Sequence, residues 1–242
     1  MYGWRARLGV LVPSGIIAIE PEFNLMAPEG VSCHYHRFNF TGEGSNEEVV
    51  ERLKRAAEFI ADAAELINHT NPSAVAMSGT GVSFIGGLGY DQMLIKKMKE
   101  RNGNLPTTTT STSVLDAFNR LRIKKVSIAM PYVEDVSRAA AKFVEDNGIK
   151  VLNAKWLNKT GLAIAELSGE TLYHLAKEVD TPESEAIFIS CTNLHTIEII
   201  EKLENDLQKP VITSNQATMW NMLRLAGVND KIEGYGQLLS KY

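Results

Sequence analysis

Cys191 has the strongest chemical prospects of any side chain in this 242-residue sequence. It stands in Ala186-Ile-Phe-Ile-Ser-Cys-Thr-Asn-Leu-His-Thr196, where a short apolar run ends abruptly in small polar residues. Beyond it, an amphipathic stretch over 194–207 predicts a helix. A strand breaking into a helix N-terminus at this point would gather a thiol, hydroxyls, an amide and unpartnered backbone N–H groups. That is the equipment of an acid or nucleophile set over a carboxylate-binding cradle. The thiol's protonation is a contest: a helix N-terminus lowers its pKa, and a bound dianion raises it.

Other reactive side chains read more plainly. Cys33, in Val31-Ser-Cys-His-Tyr-His36, sits within a strand pattern and reads as inert core. His34 and His36 share one strand face at a spacing zinc can use, but no further ligands stand nearby, so no metal is expected. His195 invites a Cys–His dyad with Cys191. In the first turn of the expected helix, however, it faces solvent. Gly86, Gly87 and Gly89 lack the Lys-Ser/Thr of a phosphate loop. Lys96-Lys97 and Lys124-Lys125 read as solvated surface.

The composition is that of an ordinary globular chain, 44% apolar and 22% charged. A net charge of −4 gives no electrostatic reason to expect nucleic acid or an anionic membrane as partner. The sequence shows neither a signal-type apolar region nor a run long enough to span a bilayer, and two cysteines make no disulfide framework; a cytoplasmic protein is the expectation. Trp4 and the aromatics near the chain ends could serve an interface in a homo-oligomer.

The elements that must position Cys191 alternate between strands and helices. Strands are expected at 8–13, 31–40, 73–78, 105–110, 125–130, 150–157, 186–190 and 210–214. Helices are expected at 46–68, 91–101, 113–121, 136–147, 169–179, 197–207 and 217–226, with 20–23 in a helix or loop and 84–89 in a Gly-rich bend. This alternation predicts an α/β fold of parallel βαβ units. The second half repeats the first. Pro13-Ser14 matches Pro131-Tyr132, and Ser78-Gly79-Thr80 matches Ser190-Cys191-Thr192. Ligands collect at the carboxyl ends of parallel strands, so two similar lobes facing one another would put these four loops around one cleft. The expected division is 5–114 plus 217–242, the C-terminal helix closing the first lobe, against 115–216.

Six segments in this order resemble the aspartate/glutamate racemase superfamily, specifically its maleate cis–trans isomerase and arylmalonate decarboxylase branch. They are Val12-Pro-Ser14 with Glu20-Pro-Glu-Phe23, Thr80-Gly-Val-Ser-Phe-Ile-Gly-Gly87, Pro131-Tyr132, Ser190-Cys-Thr-Asn-Leu194, Pro210-Val-Ile-Thr-Ser-Asn-Gln-Ala217 and Gly234-Tyr-Gly-Gln-Leu-Leu239. The resemblance implies two flavodoxin-like lobes related by a pseudo-twofold, a small mono- or dicarboxylate substrate, and no metal or organic cofactor. The isomerases and racemases of the branch work with one thiol from each lobe. Here the first-lobe position reads Gly79. Ile16 stands where the isomerases carry an asparagine, and Gly161 falls near a second such position.

A glycine facing a single cysteine is the pattern of the arylmalonate decarboxylases. Racemisation needs an acid and a base on opposite faces; decarboxylation needs no base. It needs a dry place for the carboxylate that leaves and donors for the enediolate that remains. Candidate donors are Thr80, the N–H groups of Gly81, Thr192 and Asn193, and the hydroxyls of Ser14 and Tyr132. Ile16 and Val82 would make the remaining wall apolar. The leading expectation is a decarboxylase of a 2-substituted malonate with Cys191 as proton donor. An isomerase or racemase managing with one thiol comes second, and a dicarboxylate-binding protein without chemistry third.

Overall fold

The computed structural model describes residues 2–40 and 46–242, with the backbone alone at 46 and 47. The first half runs β1 (Ala6–Pro13), α1 (Ile19–Met26), β2 (Val31–Phe38), α2 (Asn46–Ala56), α3 (Ile60–Asn68), β3 (Ala74–Met77), α4 (Thr80–Phe84), α5 (Tyr90–Asn102), β4 (Thr107–Thr109) and α6 (Thr110–Arg120). The second half runs β5 (Lys125–Met130), α7 (Glu134–Asp146), β6 (Lys150–Trp156), α8 (Leu162–Ala165), α9 (Gly169–Val179), β7 (Ala186–Ile189), α10 (Ile200–Leu207), β8 (Val211–Thr213), α11 (Ser214–Leu225) and α12 (Gln237–Lys241).

Each half forms a parallel four-stranded sheet, and the two have the same order, β2-β1-β3-β4 and β6-β5-β7-β8. The α/β fold with two similar parallel-sheet lobes is therefore present as expected. The inner strands β3 and β7 are continuous apolar runs, and β1 and β5 are apolar but for Arg7, Lys125 and Ser127, as befits strands covered by helices on both sheet faces. Helix α11 packs on α1, α6, β3, β4 and β8, and so spans elements of both halves.

Three local expectations change. The helix over 46–68 is two helices, α2 and α3, separated by a turn in which Ala57, Glu58 and Phe59 donate to carbonyls three residues back. That tightening keeps Ala56, Ala57 and Ile60 all buried. Strand β4 is short because its last residue, Thr109, already caps α6 by accepting the Thr112 N–H; Thr213 does the same for α11, with Gln216 completing a capping box. The third change concerns Cys191. Residues 191–199 form an irregular loop, and α10 begins only at Ile200. Cys191 is not at a helix N-terminus, so no helix dipole lowers its pKa.

Candidate active site

The internal repeat fixes the geometry of the site. Met77 pairs with Leu11 in one sheet as Ile189 pairs with Ala129 in the other. One residue on, Ser78 donates its N–H to the Leu11 carbonyl and Ser190 donates to that of Ala129. The next residues are Gly79 and Cys191. The Gly79 N–H donates to Thr110 Oγ1 at 3.2 Å, and the Cys191 N–H to Ser214 Oγ at 3.0 Å. Thr110 and Ser214 each follow the capping threonine of their half. Gly79 is thus the structural counterpart of Cys191, held by the same tether. Their backbones are close too: φ is −179° at Gly79, plain extended chain, and +149° at Cys191, which a side chain rarely adopts. Such strain costs about 1–3 kcal/mol and persists where the surroundings over-determine it, commonly at functional sites.

Both loops open on one pocket of about 260 Å³ between the lobes. An apolar cavity of about 150 Å³ already takes a benzene ring, so this one has room for a ring with carboxylates. Its lining includes Ile16, Gly79, Thr80, Gly81, Val82, Tyr132, Cys191, Thr192 and Asn193, together with Val49, Leu53, Val133, Val136, Leu162 and Ile164. Gly161 lines it as well.

Tyr132 sits where the lobes meet. Its ring packs edge-on against Phe84 at 5.9 Å, its hydroxyl lies 3.3 Å from Ser190 Oγ, and Thr80 and Cys191 are also within its reach. Burial, then the neighbouring Cys191, pushes its ionisation well above the usual tyrosine range, so it stays a neutral donor. Thr80 donates across the cleft to Ser214 Oγ at 2.9 Å. The Cys191 sulfur accepts the Asn193 N–H at 3.4 Å. That bond and the Tyr132 hydroxyl favour the thiolate, but burial outweighs both and pushes the thiol up to about 11. Cys191 is therefore a thiol at neutral pH.

The family profile of arylmalonate decarboxylase matches residues 8–239. Arylmalonate decarboxylase of Bordetella bronchiseptica is 30% identical over 97% of this chain and 96% of its own length. The chain belongs to the arylmalonate decarboxylase family. The maleate isomerase of Alcaligenes faecalis is 24% identical over 97% of this chain and 96% of its own. Among solved structures, a liganded double mutant of arylmalonate decarboxylase superposes with a TM-score of 0.88 at 26% identity, covering 98% of this chain and 100% of that one. Maleate isomerase from Pseudomonas putida S16 superposes at 0.90 with 23% identity over 98% of each chain, a likeness of fold.

Against this family background, Ser14 needs a correction. It lies outside the pocket lining; its hydroxyl donates to the Phe40 carbonyl at 3.0 Å and accepts the Phe40 N–H at 3.1 Å, which closes the loop beyond β2. Asn193 lines the pocket, but its N–H goes to the Cys191 sulfur and its side-chain oxygen accepts the Ile17 N–H at 2.8 Å. These bonds brace the Cys191 loop against the loop after β1 and leave only the side-chain NH2 of Asn193 to face the pocket. His195 is exposed, with no bond to Cys191 among the described residues. Cys33 is half-buried, and its thiol is also pushed up to about 11 by burial; the His34 ring bonds the Ser32 hydroxyl. Among the described residues there is no cluster suited to a metal, and no helix is long and apolar enough to cross a membrane.

Glu22 is the residue whose role the sequence reading missed. Only 3% exposed, it accepts the N–H groups of Thr196 at 2.5 Å and Ile197 at 3.1 Å, and the Asn215 side-chain amide at 2.6 Å. Asn215 in turn donates to the Thr192 carbonyl at 3.2 Å. A carboxylate from α1 thereby pins the loop that carries Cys191 to the start of α11. Burial raises its pKa, and the three donors pull it part of the way back. The available signal was an acid on the apolar stripe of α1, between Ile19 and Phe23 and Met26. Glu22→Ala strands three donors, so the expected loss is about 3 kcal/mol, read as a Tm lowered by roughly 6–12 °C. A Tm within about 2 °C of wild type would show that the loop stands without it.

Proposed function

We propose that this chain is a cofactor-independent decarboxylase of a 2-substituted malonate-type diacid. The single buried thiol facing a glycine carries that reading. One carboxylate lies among the aliphatic side chains of Ile16, Val82 and their neighbours, where its charge is poorly solvated and its loss as CO₂ is favoured. The C–C bond pair passes into the retained carboxylate, giving an enediolate. The Tyr132 hydroxyl and the N–H groups of Thr80, Gly81 and Thr192 supply donors for its two oxygens; a donor of this kind is usually worth about 3 kcal/mol of barrier. Cys191 then gives its proton to carbon from one face, and the thiolate left behind recovers a proton from water. For this step the resting thiol must be protonated, which its burial supports. The division into a lobe of 5–114 plus 217–242 and a lobe of 115–216 belongs to the same proposal, supported by the packing of α11 on α1, β3 and β4.

The maleate isomerases among the relatives make isomerisation the competing reading. One NMR-monitored screen in D₂O against phenylmalonate, maleate, aspartate and glutamate separates them. The expected result is loss of CO₂ from phenylmalonate with a single deuterium at the α-carbon. Conversion of maleate to fumarate with no decarboxylation would replace this reading by the isomerase one.

A further inference from the structure

Arg52 extends from α2 to the pocket wall, and its Nε and Nη1 atoms are buried with no hydrogen-bond partner. A guanidinium is always charged and offers its N–H groups in a planar fork matched to a carboxylate. Leaving buried N–H groups unmet carries a standing cost, so these atoms favour an acceptor brought to the wall. Among the described residues nothing supplies it: the flanking pocket residues on α2 are Val49 and Leu53, and no described acidic side chain lines the pocket or pairs with Arg52. Lys159, on the loop after β6, adds a second cation to the lining. Its backbone N–H is fixed on the Pro131 carbonyl at 2.7 Å, beside Tyr132.

The reaction proposed above, on which this step rests, limits what Arg52 can hold. A cation beside the departing carboxylate would stabilise it against loss of CO₂. The retained carboxylate already has the Tyr132 hydroxyl and backbone donors. The acceptor must then sit on the part of the substrate that does not react. We infer that Arg52 binds a carboxylate carried on the substrate's 2-substituent, and that the substrate is a tricarboxylate, a malonate with an anionic tail. The aliphatic side chains hold the body of the substituent, and the guanidinium receives its end.

The test compares phenylmalonate with (4-carboxyphenyl)malonate. Wild type is expected to favour the carboxylated compound by about tenfold or more in kcat/KM, and Arg52→Met to lose at least about tenfold more on that compound than on phenylmalonate. Wild-type rates that are equal or favour phenylmalonate, or equal losses on both compounds, overturn the inference. Arg52→Lys, with the charge but without the fork, is expected to fall between and serves if the methionine variant does not fold. Equilibrium binding separates this result from that of the parent reading. 4-Carboxyphenylacetate is expected to raise Tm more than phenylacetate in wild type, with the difference lost in Arg52→Met. If neither malonate is decarboxylated, the decarboxylase reading falls, while that Tm difference still upholds the Arg52 site and its absence overturns it.

Discussion

Cys191→Ser is expected to lower kcat on phenylmalonate by about 10³-fold while Tm stays close to that of wild type. General acids typically contribute about 10²–10⁴ to a rate, and a serine hydroxyl is far too weak an acid to replace a thiol in that role. The substitution spares the surroundings: the backbone bond to Ser214 Oγ is unaffected, and the Asn193 N–H can meet an oxygen in place of sulfur. The same residue fixes the pH profile. A thiol pushed up to about 11 remains protonated through neutrality, with about one thiolate in ten thousand at pH 7. A proton donor of this kind is lost only as pH rises through that value. Turnover should therefore stay level from pH 6 to 9 and fall above about 10. A rate that instead climbs tenfold per pH unit would identify the thiolate as the working form and make Cys191 a nucleophile. Full activity in Cys191→Ser would remove it from the chemistry altogether.

Gly79→Cys is expected to convert a one-sided site into a two-sided one. Wild type should turn 2-methyl-2-phenylmalonate into one enantiomer of 2-phenylpropionate and should not exchange that product's α-hydrogen. The variant should exchange it in D₂O and racemise the product, since a thiol on each face can remove a proton from one side and return it from the other. The backbone tolerates the change, because Gly79 is extended at φ −179°. The new Cβ would lie 3.1 Å from Pro13 Cγ, 3.4 Å from Met77 Sδ and 3.5 Å from Val82 Cβ, so the proline ring must yield by a few tenths of an ångström. A variant that folds, still makes one enantiomer and incorporates no deuterium would show that positions 79 and 191 do not face each other across the substrate.

The repeat was readable in the sequence because each half spells the same punctuation at its strand ends: Pro13 and Pro131, Ser78 and Ser190. Covered parallel strands such as Ala74–Met77 and Ala186–Ile189 announce themselves as uninterrupted apolar runs. The pocket residues from 79–82 and 191–193 were legible for the same reason, since they follow those runs directly. What was hidden depended on contacts far apart in the chain. The periodicity of 194–207 suits a helix, yet Glu22, about 170 residues earlier, takes the N–H groups of Thr196 and Ile197 and holds that stretch as a loop. Ser14 looked like a donor from its place after a strand, but its partner is Phe40. Arg52 sits on an amphipathic helix, and its place at the pocket shows only once α2 is laid against the cleft.

The matched tethers at positions 79 and 191 bear on the handedness of the proposed reaction. Thr110 and Ser214 present equivalent anchors, so the frame itself does not distinguish left from right. In the proposed reaction, the mirror sense of the product would be set by which of the two matched halves carries the sulfur. A glycine codon and a cysteine codon can differ by one base. On such a frame, the passage between an enzyme that makes one hand and an enzyme that interconverts both is a single mutational step, and it leaves every strand where it was.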